Sequence, residues 1–550
     1  LPKKKDYSSY SKEDLIKHIH ALERRKKYGL VWDEERVKEK FEEDAEGKFP
    51  VLKEVLSKEL KTDPNKPTHI LIEGDNYHAL SVLNYTHTKS VDVIYIDPPY
   101  NTGKQDFKYN DKWIDEEDGY RHSKWIDFIN KRLRLCRNLL KDTGVIFVSI
   151  DDNELPHLTL LMRDIFGEKN FIANIIWKKR AGPPNDKTIG TTHEYIVMYA
   201  KVIEKVKLFR RERTKENLSR YKNPDNHPKG PWAPDNLMAN VKGGRYVESL
   251  YFPILNSKTK EKHYPSSHGN WRFNKDTIEQ LLKDKEIYFG ADGKGRPKLK
   301  RFFCDVREGL SFSTNWDGLP FNNSATAEIK EIFGTVNIFD TPKPTGLITE
   351  CLKLATSPND SFIILDFFAG SGTTGHAVVD MNRDGGKRQF ILCTNNENNI
   401  CTDICYPRLK KIIIGYKNAN GVRNKGLANN LKYYQSTFVD SEPTHRNKKI
   451  LTDQSTEMLC LKENAFDEVL NRKAYKIYKN NSKFLAILFD EMHIEEFKKE
   501  LRKLMLPIRV YAFSLEGDDF AEDFEDLEND ITVCSIPEAI LRVYRRIFRK

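Results

Sequence analysis

The chain has 550 residues, 39% apolar and 31% charged, and its 91 Lys and Arg against 81 Asp and Glu leave a net charge of +10. That length allows about three to five domains with cores of their own, and 30 Phe, 24 Tyr and 7 Trp exclude a disordered chain. No apolar run approaches the roughly 18–20 residues of a membrane helix, eight cysteines without a CxxC pair exclude a disulfide scaffold, and the lack of a GxxxxGK(S/T) loop excludes an ATPase engine.

Residues 1–66 are charged and read as an N-terminal helical arm. The chain starts at Leu1 rather than Met and reads as trimmed, and no apolar run follows Lys3-Lys4-Lys5, so no secretory signal is expected. Ser11 and Asp14 resemble a capping pair, with Leu15, Ile19 and Leu22 at helical spacing. The prolines of Lys61 to Pro67 mark a linker. Residues 67–204 then alternate buried strands with helices. Strands are predicted at His69–Ile72, Val91–Ile96, Gly144–Ile150, Phe171–Trp177 and His193–Ala200, with helices over Tyr77–Leu83 and Ser123–Lys141. In the second helix Trp125, Phe128, Ile129, Leu133, Cys136 and Leu140 form one stripe.

Residues 205–335 lose this rhythm and form an inserted domain. Between 201 and 300 there are 23 Lys and Arg against 12 Asp and Glu, interleaved with aromatics from Phe209 to Phe273 and turns such as Lys242-Gly243-Gly244-Arg245. The α/β rhythm returns over 336–430, with a strand at Ser361–Asp366, a glycine turn, a helix over Thr373–Met381, a strand at Arg388–Thr394 and a helix over Cys401–Lys411. Residues 431–550 read as a further small α/β domain containing an acidic stretch, Glu516 to Asp530. The predicted fold is therefore α/β, a doubly wound and mostly parallel sheet built from two chain segments around an insertion. Cys393, Cys401 and Cys405 lack His partners at zinc spacing, so they read as buried thiols of a reducing cytoplasm and no metal site is expected.

Two motifs carry chemistry. Asp97-Pro98-Pro99-Tyr100 follows a buried strand. An exocyclic amine of a nucleobase is a poor nucleophile, because its lone pair is delocalised into the ring. The carboxylate of Asp97 and the carbonyl of Pro98 can each accept one N–H and localise that lone pair. Two prolines stiffen the loop, and Tyr100 offers a face on which an extruded base can stack. A plain proline turn after a strand is the alternative. The second motif is Asp366-Phe367-Phe368-Ala369-Gly370-Ser371-Gly372, a strand–turn–helix element whose glycines let backbone N–H groups approach a ligand. With Gly375 it also satisfies the GxGxxG spacing of a dinucleotide site.

Together with Ile72-Glu73-Gly74-Asp75-Asn76, the run Tyr95 to Gly103 and Lys343-Pro344, these motifs in this order make the chain similar to a known family over about residues 65–420. It resembles the S-adenosyl-L-methionine-dependent amino-group DNA methyltransferases of the β circular order, and within them the modification subunits of type III restriction–modification systems. The resemblance implies a methyltransferase sheet with a target-recognition insertion. It implies Asp97, Pro98, Pro99 and Tyr100 as the catalytic loop. Cofactor binding falls to Asp75 near the adenine, to Asp366, Phe368, Gly370 and Gly372 at the methionine end, to Glu397 at the ribose hydroxyls, and also to Asn76, Lys343, Pro344, Phe367 and Thr373. Asp rather than Ser at 97 points, by resemblance, to adenine N6 over cytosine N4. No Pro-Cys pair exists for covalent cytosine-C5 chemistry. The implied partners are double-stranded DNA, a second copy of the chain and a separate restriction subunit carrying helicase and nuclease, in a bacterial cytoplasm and without a membrane. The alternatives are a solitary adenine methyltransferase and a specificity subunit that guides a partner nuclease.

Overall fold

The computed structural model describes residues 10–23, 32 and 46–548, apart from 110–111, 186–187, 240–245, 267–268, 336–337, 419–420, 443 and 515–519. The turn at Lys242–Arg245 and the start of the acidic stretch lie outside the described residues. Two compact units result: Leu1–Phe209 with Ser313–Lys550, and Arg210–Phe312.

The first unit is built on a ten-stranded sheet. Its strands are β1 (Lys48–Glu54), β2 (Thr68–Glu73), β3 (Val91–Ile96), β4 (Leu140–Ile150), β5 (Phe171–Lys178), β6 (His193–Ala200), β7 (Asn315–Trp316), β8 (Ser361–Asp366), β9 (Lys387–Thr394) and β10 (Asn430–Asp440). They lie in the order β1-β10-β2-β9-β8-β3-β4-β6-β5-β7. The six from β10 to β4 are parallel. Antiparallel strands β1 and β6 flank them, which gives the mostly parallel sheet expected from the sequence. Strands such as Val-Asp-Val-Ile-Tyr-Ile bury both faces, so helices must cover the sheet on both sides. Helices α1 (Asn76–Thr86), α2 (Arg121–Leu139) and α3 (Thr373–Met381) follow β2, β3 and β8 respectively. On α2 the predicted stripe is real: Trp125, Ile129, Leu133 and Cys136 are wholly buried. Asp92, the polar residue within β3, accepts the Ile363 N–H at 2.8 Å and pairs with Lys141, which ties β8 to β3.

That tie sets up the site. Ile364 pairs with Val93 and Leu365 with Ile94, so Asp366 at the end of β8 lies beside the residues that lead into Asp97. From β8 the chain crosses to β9 on one side, whereas from β3 it crosses to β4 on the other. Loops that diverge from neighbouring carboxyl ends leave a crevice between them.

Elsewhere the structure differs in boundary from the sequence reading. Helix Lys12–Glu23 does begin at Ser11, whose Oγ accepts the Asp14 N–H at 3.1 Å. Residues 48–54, however, form edge strand β1 rather than helix, pairing with β10 from Lys48↔Asp440 to Glu54↔Tyr434. The second unit is narrower than 205–335, because β7 and the helix Asn322–Phe333 belong to the first. Strand β10 straddles the expected boundary at 430. Beyond it a five-stranded sheet spans Asp467–Ile536. It is not packed apart: Met458, Leu459, Leu485, Tyr511 and Ile540 share one core with α1, and nine of the eleven residues of α1 are buried as a result. In the acidic stretch Phe520, Phe524 and Leu527 are buried, and Asp526 pairs with Lys498 and Arg502.

The second unit has a three-stranded sheet, a helix over Lys275–Lys283, and a core of Leu237, Ile254, Trp271, Ile278 and Ile287. Its tryptophans are structural. Trp232 donates to Asp225 at 2.8 Å and Trp271 to the Phe252 carbonyl at 2.7 Å.

Helix α3 packs through Gly375, where an added Cβ would lie 2.6 Å from Leu409 Cδ2 and 3.0 Å from Leu392 Cδ1. Gly375→Val is therefore expected to cost about 1–3 kcal/mol by overpacking, seen as a lower melting midpoint in circular dichroism. An unchanged midpoint would mean that this helix is not in close contact there.

Candidate active site

The Asp97 loop is held from behind. The carbonyl of Pro99 accepts the indole N–H of wholly buried Trp125 at 2.7 Å, which pins the loop to α2. Asn101 has a left-handed backbone (φ 56°) and is also wholly buried, its amide donating to Glu154. Glu154 in turn faces His122 Nδ1 at 2.7 Å and His157 Nδ1 at 2.8 Å. Burial pushes the Glu154 carboxyl up to about 7 against the pull of Asn101 and His157. These three residues are a group of metal-ligating composition among the described residues. Arg121, however, donates to His122 Nε2 at 3.2 Å, which favours the tautomer whose Nδ1–H donates to Glu154.

In front of the loop lies a network of charges. Asp97 Oδ2 accepts from Lys343 Nζ at 2.8 Å and Oδ1 from the Tyr100 hydroxyl at 2.9 Å. Glu194 of β6 stands behind both donors, with Oε2 3.2 Å from the Tyr100 hydroxyl and 3.7 Å from Lys343 Nζ, while its Oε1 accepts from Lys179 at 3.0 Å. Lys343 Nζ also lies 4.9 Å from the Tyr100 ring centroid. Burial pushes the Asp97 carboxyl up, Lys343 pulls it back, and the nearby Glu194 charge helps keep it above its ordinary value. Burial acts on Glu194 in the same direction, but Lys343 and Lys179 outweigh it and hold that carboxyl below its usual range. Lys343 is held protonated: burial lowers it, and Asp97 and Glu194 more than compensate.

The neighbouring loop builds a small cradle. Asp366 Oδ1 accepts the Phe368 N–H at 2.9 Å and Oδ2 the Thr374 hydroxyl at 2.6 Å, while burial pushes this carboxyl up to about 7. Gly370 (φ 49°) and Gly372 (φ 81°) take left-handed conformations, and a Cβ on Gly370 would come within 3.1 Å of Phe339. Thr373 opens α3 and accepts from buried Arg408 at 2.9 Å. Asp75 caps α1 by accepting the Tyr77 N–H at 2.7 Å, and Asn76 donates to the Phe367 carbonyl at 2.9 Å. Arg132, wholly buried, donates to Asn76 and to the Phe128 carbonyl and faces Asp75 at 3.4 Å, with its guanidinium over the Phe128 ring. Phe128 reaches Phe368, ring to ring, at 5.9 Å.

The structure thus joins Asp97, Tyr100 and Lys343 in one network, and Asp75, Asn76, Asp366, Phe367, Phe368 and Thr373 around the adjoining cradle. Pro344 is the residue before helix Thr345–Ala355, which places Lys343 at that helix entrance. Glu397 lies farther out, partly exposed and ion-paired with Lys108 from the hairpin after the Asp97 loop.

A sequence profile of the DNA methylase family, whose members are N6 and N4 methyltransferases, matches residues 91–419. The chain belongs to this family. It is 33% identical over 453 residues to the StyLTI Mod subunit of a type III restriction–modification enzyme of Salmonella typhimurium, covering 74% of this chain and 67% of that one. It is 32% identical to the EcoP15I Mod subunit of Escherichia coli, over 60% of this chain and 58% of the relative. To the type II methyltransferase M.KpnI of Klebsiella pneumoniae it is 34% identical, over 60% and 82%. The methylase therefore spans about three fifths to two thirds of the length of the type III subunits it matches.

Three residues of the methylase's site were not singled out in the sequence: Glu194, Lys179 and Arg132. Glu194 is the one acid in an otherwise apolar strand, His-Glu-Tyr-Ile-Val-Met-Tyr-Ala, and that was its available signal. Arg132 sits among the apolar residues of α2. Arg132→Met removes the donor to Asn76 and leaves buried acceptors unpaired, at an expected cost of about 1–3 kcal/mol. Chemical unfolding checks this, and an unshifted midpoint would mean that water replaces the guanidinium.

Proposed function

We propose that this methylase transfers the methyl group of S-adenosyl-L-methionine to adenine N6 in double-stranded DNA. The observation that carries the reading is the placement of the Asp97 network and the Asp366–Gly372 cradle on adjacent strand ends of one parallel sheet. The glycine turn, the N-terminus of α3 and the buried Asp366 carboxyl suit a cofactor that carries ammonium, carboxylate and sulfonium groups. Asp366, Phe368, Gly370, Gly372 and Thr373 would hold its methionine end, Asp75 and Asn76 the adenine side, and Glu397 the ribose. Bound there, the cofactor supplies an electrophilic methyl group.

The chain's own residues prepare the nucleophile. Asp97 and the Pro98 carbonyl accept the two N–H bonds of the amine and localise its lone pair. The Pro99 carbonyl is already committed to Trp125, which fixes the aim of its neighbour. The face of Tyr100 receives the base, which must leave the duplex stack to reach this depth. Once methylated, the nitrogen carries a positive charge and sheds one proton. Asp97, with its raised pKa, is placed to take it.

The unit Arg210–Phe312 is the proposed target-recognition domain. Arg210, Arg213, Arg220, Arg301 and Arg307 line a cavity of about 530 Å³, and Tyr246, Tyr251 and Tyr264 form an exposed aromatic row with centroids 6.2 and 5.8 Å apart. Guanidinium groups suit phosphate oxygens, and such contacts position a duplex without reading its sequence. The relatives that are Mod subunits extend the reading to a type III restriction–modification system, in which this chain modifies and recognises DNA as a homodimer beside a separate restriction subunit. No helix among the described residues is long and apolar enough to cross a membrane.

The deciding test is transfer from labelled S-adenosyl-L-methionine to duplex DNA, followed by nucleoside mass spectrometry. N6-methyladenine is expected, with a loss of about 10²–10⁴-fold in Asp97→Asn and cofactor affinity retained. N4-methylcytosine as the product, or full activity in that variant, would overturn the assignment. In a second test, Arg213→Ala and Arg301→Ala should each weaken binding equally on all duplexes and reduce the slope of log affinity against log salt by about 1. An unchanged slope would remove these residues from the DNA interface.

A further inference from the structure

Both oxygens of Asp97 are engaged, Oδ2 by Lys343 Nζ at 2.8 Å and Oδ1 by the Tyr100 hydroxyl at 2.9 Å. Each of these oxygens keeps a second lone pair, so a target amine can share the carboxylate, but Lys343 neutralises the charge that makes Asp97 a strong acceptor, and the amine gains most if those donors give way. Each has a second acceptor within reach, and it is the same atom. Glu194 Oε2 lies 3.2 Å from the Tyr100 hydroxyl and 3.7 Å from Lys343 Nζ. The other oxygen of Glu194 is held by Lys179 at 3.0 Å, so the carboxylate is already oriented. Lys343 and Glu194 side chains are only 10% and 7% exposed. A lysine leaving Asp97 in such a place without another carboxylate would become a buried, unpaired cation, which is strongly disfavoured.

We propose that Glu194 is a positioning residue that receives Lys343 and the Tyr100 hydroxyl when the target amine takes Asp97. The resting site then has Lys343 between two carboxylates, nearer Asp97, and the loaded site has it on Glu194. Lys343 has a carboxylate partner in both, so it leaves Asp97 without becoming an unpaired cation, and the N–H bonds of the target amine take its place on Asp97. The proposal rests on the reading of Asp97 as the amine's acceptor.

The prediction concerns coupling rather than simple loss. Glu194→Gln keeps the shape of the side chain and removes the charge that Lys343 needs. The unmutated chain, Glu194→Gln, Lys343→Met and the double variant would be compared for methyl transfer to DNA from cells that lack adenine methylation. The readouts are kcat, KM for DNA, and cofactor affinity by calorimetry. Glu194→Gln is expected to lower kcat at least tenfold while cofactor affinity stays within twofold. In the Lys343→Met background the same change should cost twofold or less, because no lysine then has to be received. A kcat within twofold of the unmutated protein, or an equal cost in both backgrounds, overturns the proposal.

If Glu194→Gln fails to fold, the unmutated protein settles the matter. Its crystal structure with S-adenosylhomocysteine and a duplex containing its own methylation site should show Lys343 closer to Glu194 than to Asp97. Lys343 still on Asp97 beside the bound base would refute the transfer. Activity that is lost in Asp97→Asn and kept in Glu194→Gln refutes only the role of Glu194. An unmutated protein that methylates no DNA refutes the functional reading and this proposal with it.

Discussion

Two acids and two lysines at the mouth of one sheet, Glu194 buried and the other three half-buried, constrain everything around them. Asp97, Glu194, Lys343 and Lys179 come from four separate stretches of chain, and none of them would be tolerated there without an opposite charge. Their mutual neutralisation requires β3, β6 and the entrance to helix Thr345–Ala355 to arrive at one place. The fold is the device that meets this requirement. Strand β6 runs antiparallel to β4, which brings Glu194, at the start of β6, back to the edge where β3 ends. Inserting this hairpin-like return into a parallel sheet has a chemical consequence: it supplies the second carboxylate.

The Asp366–Gly372 cradle is governed by a different kind of constraint, the close approach of backbone. Gly370 and Gly372 adopt conformations that side chains resist. The Asn76 amide and the Arg132 guanidinium fasten the loop after β2 to the loop after β8. The same helix α2 that supplies Arg132 also supplies Trp125 to the Asp97 loop. One helix therefore sets the separation of the two loops and registers the Asp97 network and the Asp366–Gly372 cradle against a common rigid body.

Contiguity decided what could be read in advance. Val91–Ile96 and Ser361–Asp366 were legible because largely buried strands read as apolar runs, broken in the first only by Asp92, and each ended in a compact motif. Glu194 was not, since its meaning depends on residues 97 and 343, and in sequence it stands at the end of its strand, where a polar residue is ordinary. Strand β1 contains Pro50, which argues against a strand unless it lies at an edge, where the structure has it. Helix α1 shows no apolar stripe because the C-terminal layer covers its outer face, and that cover, from Met458 to Ile540, is remote along the chain. The boundaries at 66 and 430 failed for the same reason: β1 and β10 are bonded only to partners remote in sequence.

Circular order in the chain also imposes an order in time. β3 and β4 leave the ribosome together, yet the partner that covers the other edge of β3 is β8, about 270 residues later. At roughly 5–20 residues per second the nascent chain carries an open, strongly apolar strand edge for roughly 15–50 s, while the unit Arg210–Phe312 is being made. This arrangement makes the growing polypeptide a natural client for chaperones. A product that stops short of Ser361 would present to other chains the very edge on which the finished molecule assembles its chemistry.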